Sequence, residues 1–307
     1  MGISSKFLIR RTHCAVIFSA FIAFVSFSVH AHESTGYELE RKPLLVDSKW
    51  LQARMDVPGV VIVDTRHPGE YVRGHIAGAI NLPSAELFRT SLGRQVASQS
   101  RIEYLLGRRG IRREDHVILY GYNNYRDAAR VLWTLGLYGH SNVALLNGGY
   151  AAWKNAGLPV DTRIPQGKPV DYQAFVRPGL MSTRFHVLLA LEDPAIAIVD
   201  TRDANEYQGF DSASDRPGHI PTAFNIPSEL NLEVRQGIPY FKSRPALEKL
   251  YRDLADYSVV VLYCNNGCES STSYLALRLL GKQVSIYDAG WKEWSSDPRL
   301  PVEVVLQ

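Results

Sequence analysis

The sequence predicts an α/β fold made of two tandem domains, each a parallel sheet with helices on both faces. The first observation behind this prediction is a duplication. Val61–Tyr71 returns as Ala197–Tyr207 around a shared Val-Asp-Thr-Arg, and both copies continue with Gly-His-Ile and Asn-(Leu/Ile)-Pro-Ser. The second is that short β-branched runs alternate with amphipathic stretches, as in parallel sheets covered on both sides. A repeat of this length indicates two homologous domains, because solenoid repeats are several-fold shorter.

Each element is assigned from its local pattern. Strands are predicted for the apolar, β-branched runs at 60–64, 116–120, 143–147, 196–200, 258–263 and 283–287. Helices are predicted at 48–54, 126–136, 183–191, 245–255 and 271–280, the first capped by Asp47 or Ser48. Residues 162–180 are rich in Pro and Gly and predict a semi-rigid linker. The domains are therefore expected at 32–161 and 181–307.

The first 31 residues differ from the rest of the chain. Lys6, Arg10 and Arg11 precede an uncharged apolar run, Cys14–Val29, and small residues lead up to Ala31. This pattern predicts a signal peptide at 1–31, cleaved after Ala31, and a periplasmic or secreted protein. The run is short for a membrane span, so no membrane association is expected after cleavage.

Charge and motif content exclude several kinds of partner. The three basic residues of the leader account for the net charge of +3, and the remaining chain is balanced. No nucleic-acid binding is therefore expected. Neither a metal nor another cofactor is expected, because the chain has no paired-His or multi-Cys spacing and no phosphate-binding Gly-Lys-Ser/Thr loop. Two cysteines remain after cleavage, Cys264 and Cys268, and they do not make a disulfide framework.

Cys264 is the candidate catalytic residue. It follows the apolar run Val259–Tyr263 and precedes a tight loop that leads into a helix. An ordinary thiol is only about 3% ionised at pH 7, and a pKa lower by about two units would make the thiolate the majority form. The amides of residues 265–270 and the helix N-terminus are expected to supply this stabilisation, with Gly267 at φ > 0 in mid-loop. In the first copy the matching strand ends at Gly121, so only one copy can carry a nucleophile.

These motifs resemble those of the two-domain rhodanese family, the thiosulfate and 3-mercaptopyruvate sulfurtransferases. The resemblance rests on Val-Asp-Thr-Arg and Gly-His-Ile in both halves, Leu262–Gly267, and Tyr287–Pro298. It implies two tandem rhodanese-like domains, the first inactive and the second carrying a persulfide on Cys264. It also implies a small sulfur donor and a thiol or cyanide acceptor, with a protein thiol as a further candidate acceptor.

The loop departs from the family pattern at several positions. It is expected to cradle the persulfide with the residues Asn265, Asn266, Gly267, Cys268, Glu269 and Ser270. Asn265 and Asn266 match neither the basic residues of thiosulfate-type loops nor the Gly-Ser of mercaptopyruvate-type loops, so the donor stays open. Glu206 stands where many members have a substrate-contacting Arg. Arg202 and Arg216 are the candidate donor-binding cations, although Arg202 could equally be a structural partner of Glu206.

Other chemistries remain to be weighed. A Cys-based phosphatase needs an arginine six residues after the cysteine, and this chain has Ser270 there. Cys268 could resolve the persulfide, exchange disulfides with Cys264, or simply pack under the loop. A non-catalytic sulfur carrier is the remaining alternative. His75 and His219 recur in both copies, which favours structural hydrogen bonds over catalysis. The resting redox state and the oligomeric state stay open.

Overall fold

The computed structural model describes residues 43–89, 95–122, 125–165, 167–211, 214 and 216–305. The predicted signal peptide lies outside these residues. In chain order the first half contains β1 (Leu45–Val46), α1 (Ser48–Gln52), β2 (Val60–Asp64), α2 (Pro68–Tyr71), β3 (His75–Ile76), β4 (Ile80–Asn81), α3 (Gln99–Arg108), β5 (His116–Tyr120), α4 (Arg126–Leu137), β6 (Val143–Leu146), α5 (Gly149–Asn155) and β7 (Val160–Asp161).

The second half follows the same plan. Its elements are β8 (Met181–Ser182), α6 (Arg184–Ala190), β9 (Ile196–Asp200), α7 (Ala204–Gln208), β10 (Phe224–Asn225), β11 (Leu232–Arg235), β12 (Ile238–Phe241), α8 (Arg244–Leu250), β13 (Val259–Tyr263), α9 (Ser270–Leu279), β14 (Gln283–Tyr287) and α10 (Gly290–Ser296). Short 3₁₀ turns occur at Ser84–Leu87, Pro178–Leu180, Ser228–Asn231 and Arg252–Leu254.

Two five-stranded parallel sheets have the same strand order. One runs β1-β6-β5-β2-β4 and the other β8-β14-β13-β9-β10. The central registers also correspond, since Tyr120 lies beside Asp64 in one sheet and Tyr263 beside Asp200 in the other. The duplicated α/β architecture predicted from the sequence is therefore confirmed.

Both faces of each sheet are buried, as the apolar strands predict. In β5, Val117 and Leu119 join one core cluster, while Ile118 and Tyr120 join another on the opposite side. Side chains alternate across a strand, so this division means that helices cover both faces. In the first half α3 and α4 pack on one face of the sheet, and α1 and α5 pack on the other. In the second half α8 and α9 cover one face, and α6 and α10 cover the opposite face.

The two halves share one hydrophobic core. The cluster that contains α4 of the first half also contains α9 of the second, and these two helices pack against each other. Trp133 on α4 is fully buried, and its indole nitrogen donates a hydrogen bond to the Leu180 carbonyl oxygen at 2.9 Å. The hairpin β11–β12 adds a second junction, where the amide of Phe241 donates to Asn147. Each half is therefore a packing surface for the other.

The predicted strands are confirmed within one residue at each end, and one predicted helix is interrupted. The stretch 245–255 forms α8 and a separate 3₁₀ turn, because Tyr251 leaves helical geometry at φ −102° and ψ 18°. Its ring is buried, and its hydroxyl donates to Asn231 at 2.7 Å. The hairpin β11–β12 was not predicted from the sequence.

Candidate active site

Cys264 lies at the carboxyl end of β13, where it joins the loop to α9. The strand end is held from two sides. The Trp291 amide donates to the Cys264 carbonyl oxygen at 2.8 Å, and the hydroxyl of Thr201 donates to the Tyr263 carbonyl oxygen at 3.0 Å. In parallel sheets ligands bind outside the carboxyl ends of the strands. The thiol therefore stands at the edge where this fold places its sites.

Groups of the loop act on the sulfur. The backbones of Ser270 and Asn266 and the side chain of Ser270 each lower the pKa of the Cys264 thiol. Gly267 has φ +74°, and a Cβ there would lie 2.6 Å from Asp288 Oδ1. Glycine is therefore required at this turn both for its conformation and for its small size.

The expectation of a lowered pKa at Cys264 is wrong. Burial, together with the nearby Glu269 carboxylate, raises the pKa of the Cys264 thiol above its ordinary value, although the loop acts in the opposite direction. Cys264 is fully buried. Removing an anion from water is unfavourable unless it is fully paired, so desolvation outweighs the stabilisation that the loop supplies. The pKa of the thiol is therefore shifted in the direction opposite to the expected one.

Two carboxylates flank the loop. Besides burial, the charge of Glu269 raises the pKa of the Cys264 thiol, and burial raises the pKa of the Glu269 carboxyl. On the other side, Asn265 Nδ2 donates to Glu206 Oε1 at 2.7 Å, and burial also raises the pKa of Glu206. The surroundings of the thiol are therefore acidic, at two positions that the sequence analysis had already singled out.

The candidate donor-binding cations are engaged in the fold. Arg202 makes a buried two-point ion pair with Asp200, 2.6 Å at its shortest, and donates to the Gly218 carbonyl oxygen. In the first half Arg66 pairs with Asp64 in the same way. The partner of Arg202 is therefore Asp200, and not Glu206 as considered above, and donor binding by Arg202 stays an untested prediction.

Arg216 has a different set of partners. Its guanidinium donates to the carbonyl oxygens of Trp294, Ser295, Asp297 and Leu300, at 2.7 to 3.3 Å. All three nitrogens are engaged, so these contacts speak against the expected donor-binding role. Arg216 instead caps the C-terminal end of α10, because the last carbonyl oxygens of a helix have no amide donor within the helix.

The first half contributes two arginines that the sequence analysis missed. Arg130 on α4 forms a buried ion pair with Asp288, Nη1 to Oδ1 at 2.6 Å, and donates to the Gly267 carbonyl oxygen at 3.3 Å. Arg126, at the start of the same helix, lies 4.0 Å from Glu269. The sequence does contain an indication of a buried charge, because Arg130 interrupts the apolar face of α4. Its partner Asp288 becomes visible only once α4 packs against α9.

The remaining marked residues are structural or unassigned. His75 stacks on Tyr71 and His219 on Tyr207, and each Nδ1 lies within 2.9 Å of the stacked tyrosine's carbonyl oxygen. This arrangement agrees with the structural hydrogen bonds expected. Cys268 is buried, as Cys264 is. Its resolving and packing roles stay predictions.

The matching position of the first half has no room for a thiol. A Cβ on Gly121 would lie 2.7 Å from Thr65 Oγ1 and 3.4 Å from Ala128 Cβ. Among the described residues no group of three or more His, Cys, Asp or Glu side chains could hold a metal ion. Within the same part of the chain, no helix has the length and apolar character needed to cross a bilayer.

The fold and the loop define a class of protein: two duplicated α/β domains with a single cysteine at one strand end. The model of the rhodanese-like domain matches residues 47–156 and again 186–297. A putative thiosulfate sulfurtransferase 1 of Mycobacterium bovis is 35% identical over 281 residues, covering 87% of this chain and 99% of that protein. A thiosulfate sulfurtransferase of Corynebacterium glutamicum is 32% identical over 298 residues, covering 92% and 95%.

Solved structures show the same relationship. YnjE superposes with a TM-score of 0.77 at 26% identity, over 86% of this chain and 69% of that one. SseA from Escherichia coli, described as a 3-mercaptopyruvate sulfotransferase, has a TM-score of 0.72 at 26% identity, over 81% and 98%. The chain therefore belongs to the rhodanese family of sulfurtransferases. The predicted domain limits stay a prediction.

Proposed function

We propose that this protein transfers sulfane sulfur from thiosulfate or 3-mercaptopyruvate to a thiol or to cyanide, through a persulfide on Cys264. The observation that carries the proposal is the contrast between the two matching strand ends. One end holds the Cys264 thiol at the start of the loop 265–270, and the other ends in Gly121, where a Cβ would lie 2.7 Å from Thr65 Oγ1. The chemistry is therefore assigned to the second domain alone.

The reaction takes two steps. In the first, Cys264 Sγ gives up its proton and attacks the transferable sulfur of the donor. The bond from Sγ to that sulfur forms as the sulfur–sulfur bond of thiosulfate, or the carbon–sulfur bond of 3-mercaptopyruvate, breaks. Sulfite, or pyruvate as its enolate, leaves with the electron pair, and the proton passes to the leaving group or to solvent. In the second, the acceptor attacks the outer sulfur and the free thiol returns, as in a ping-pong mechanism. The loop donors then have a second task, because they stabilise the anionic persulfide between the steps.

Sequence similarity to named relatives favours thiosulfate as the donor, whereas the charges near Cys264 favour 3-mercaptopyruvate. The two relatives named thiosulfate sulfurtransferases are 32% and 35% identical, whereas the structure of SseA is 26% identical. In contrast, the carboxylates of Glu206 and Glu269 near the sulfur repel a dianion more strongly than a monoanion. Both donors therefore belong in the assay, with thiosulfate first. A protein thiol is a further candidate acceptor.

Intact mass spectrometry of the protein after incubation with each donor tests the proposal. We expect the mass of one added sulfur, removed again by cyanide, in the wild-type protein and in Cys268→Ala. Cys264→Ser should gain none. A requirement for both cysteines would identify a disulfide exchanger, and loading without turnover would identify a sulfur carrier. If neither donor loads Cys264, the proposed function is wrong.

We also propose that the protein is exported after removal of residues 1–31. The support is the sequence pattern of a basic start, an apolar run and small residues before His32. N-terminal sequencing of the protein from its native host should begin at His32, and cell fractionation should find it outside the cytoplasm. A protein that retains Lys6 and the following run would contradict the proposal.

A further inference from the structure

A cleft of about 610 Å³ opens in the first half at the strand edge that matches the position of Cys264 in the second. Gly121, which follows β5, and Arg66, which follows β2, both line it. These two strands are neighbours, and the chain leads from β2 outward to β4 and from β5 outward to β6. The cleft therefore lies where the connections diverge, which is the place where α/β sheets of this kind bind ligands.

Both halves of the protein enclose this cleft. Most of its lining belongs to the first half, but Gln236 and Ile238 come from the hairpin β11–β12 of the second. The hairpin is fixed in this position, because the hydroxyl of Tyr125 donates a hydrogen bond to the Pro239 carbonyl oxygen at 2.9 Å. The opening is therefore bounded by segments that are bonded to each other across the two halves.

One positive charge in the cleft is left without a counter-ion. Arg66 and the Glu70 carboxylate each have an ion-pair partner in their own neighbourhood. Lys154 on α5 is exposed, and within the described chain its ammonium group forms neither an ion pair nor a hydrogen bond. Its Nζ lies 5.9 Å from the centroid of the Tyr150 ring. The charge balance of the lining therefore suits a ligand with one negative charge.

Aromatic and aliphatic side chains supply much of the remaining lining. The Tyr150 ring is held in place by the Arg66 guanidinium, whose Cζ lies 3.9 Å from the ring centroid. Tyr122 keeps 39% of its surface exposed, and Ile238 adds an aliphatic group from the hairpin. Flat apolar molecules pack well against such rings. A cleft of this volume, with apolar walls and few polar groups, has the character of a small-molecule site.

The equivalent residues of the second half do not reproduce this lining. In the duplicated sequence Trp291 stands for Tyr150, and Trp291 is fully buried. Ser295 stands for Lys154 and carries no charge. The free cation and the accessible ring are therefore features of the first half, and they are not explained by the chemistry at Cys264.

We propose that the cleft at Gly121 binds a small organic monoanion, a carboxylate carried on an aromatic or other flat apolar body. The carboxylate pairs with Lys154 Nζ, and the apolar body packs against the rings of Tyr122 and Tyr150. The first half then has a binding function of its own, in addition to the proposed sulfur transfer at Cys264.

Benzoate is the probe, and NMR spectra of the protein labelled with ¹⁵N-glycine locate it. We expect the amide signal of Gly121 to shift with a Kd of about 1 mM, in the range typical of so small a ligand. The signal of Gly267, in the loop of Cys264, should stay in place. Benzamide has the same shape without the charge, so it should bind about five- to tenfold more weakly.

Three variants test which residues form the site. Lys154→Met should weaken benzoate binding by about the same five- to tenfold and leave benzamide binding unchanged. Lys249→Met removes an exposed lysine on α8, outside the cleft, and should bind benzoate like the wild type. Ala151→Phe places a ring within the cleft and should lose both probes. If Ala151→Phe does not fold, judged by far-UV circular dichroism, the comparison of Lys154→Met with benzamide decides.

The contrary results are equally specific. A shift of Gly267 without a shift of Gly121 would place benzoate at the other strand edge and overturn the inference. Wild-type affinity of Lys154→Met for benzoate would do the same, as would an unchanged Gly121 signal at about twentyfold the expected Kd. These readouts do not involve sulfur loading, so failure of the proposed function would leave them unaffected.

Discussion

Replacing Arg130 by methionine should destabilise the protein more than any exposed charge change. The Arg130–Asp288 pair joins the two halves, with side-chain exposures of only 1% and 6%. Methionine leaves the Asp288 carboxylate buried without its partner, which typically lowers the free energy of unfolding by 3–5 kcal/mol. The hydrogen bond to the Gly267 carbonyl oxygen is lost as well. The loop that carries Cys264 should therefore loosen, and persulfide formation should slow.

Urea denaturation measures the stability change, and mass spectrometry after brief exposure to thiosulfate measures the loading rate. The exposed pair Arg252–Asp253 is the control, since Arg252→Met should change stability by less than about 0.5 kcal/mol. Adding Asp288→Asn to Arg130→Met removes the uncompensated charge and should restore much of the loss. An Arg130→Met protein within about 1 kcal/mol of the wild type would refute the reasoning.

Three further predictions concern glycines and a buried histidine. Gly121→Cys should lower the free energy of unfolding by about 1–3 kcal/mol, because its Cβ would meet Thr65, and mass spectrometry should still find one added sulfur. Gly267→Ala should destabilise by about 2 kcal/mol in urea, since φ is +74° and the Cβ would meet Asp288. Burial lowers the pKa of His140, so the folded state binds its proton less tightly than the unfolded state, and stability should fall as pH drops below about 6.5. Urea titrations should show a smaller fall in His140→Asn.

Each of these predictions has a clear contrary result. A second sulfur on the Gly121→Cys protein would show that the first domain keeps a working site. A Gly267→Ala protein as stable as the wild type would mean that the loop relaxes freely around the new methyl group. If His140→Asn follows the wild-type pH dependence, another group is responsible for the acid destabilisation.

The first domain contacts the candidate site although no thiol stands at its own matching strand end, Gly121. From its helix α4, Arg130 reaches the loop of Cys264 and Arg126 lies beside Glu269. Both residues are close in the chain, on one helix that packs against α9. The surroundings of the thiol are therefore built from both halves of the protein.

Local patterns were sufficient for the architecture. The strands around Val63, Val199 and Val261 were predictable because apolar runs of that length must be buried, and the duplication fixed how many domains to expect. The place of Cys264 at a strand end and the need for glycine at 267 also follow from nearby residues. Such features depend on backbone geometry over a few residues.

Long-range packing decided the direction of the Cys264 pKa shift and the partners of the site. The partner of Arg202 proved to be Asp200, and Arg130 reaches Gly267 from 137 positions away in the chain. The pKa of Cys264 depends on burial and on Glu269 acting against the loop. Desolvation and charge proximity are properties of the assembled fold, so no local pattern could show that the pKa of this thiol is raised.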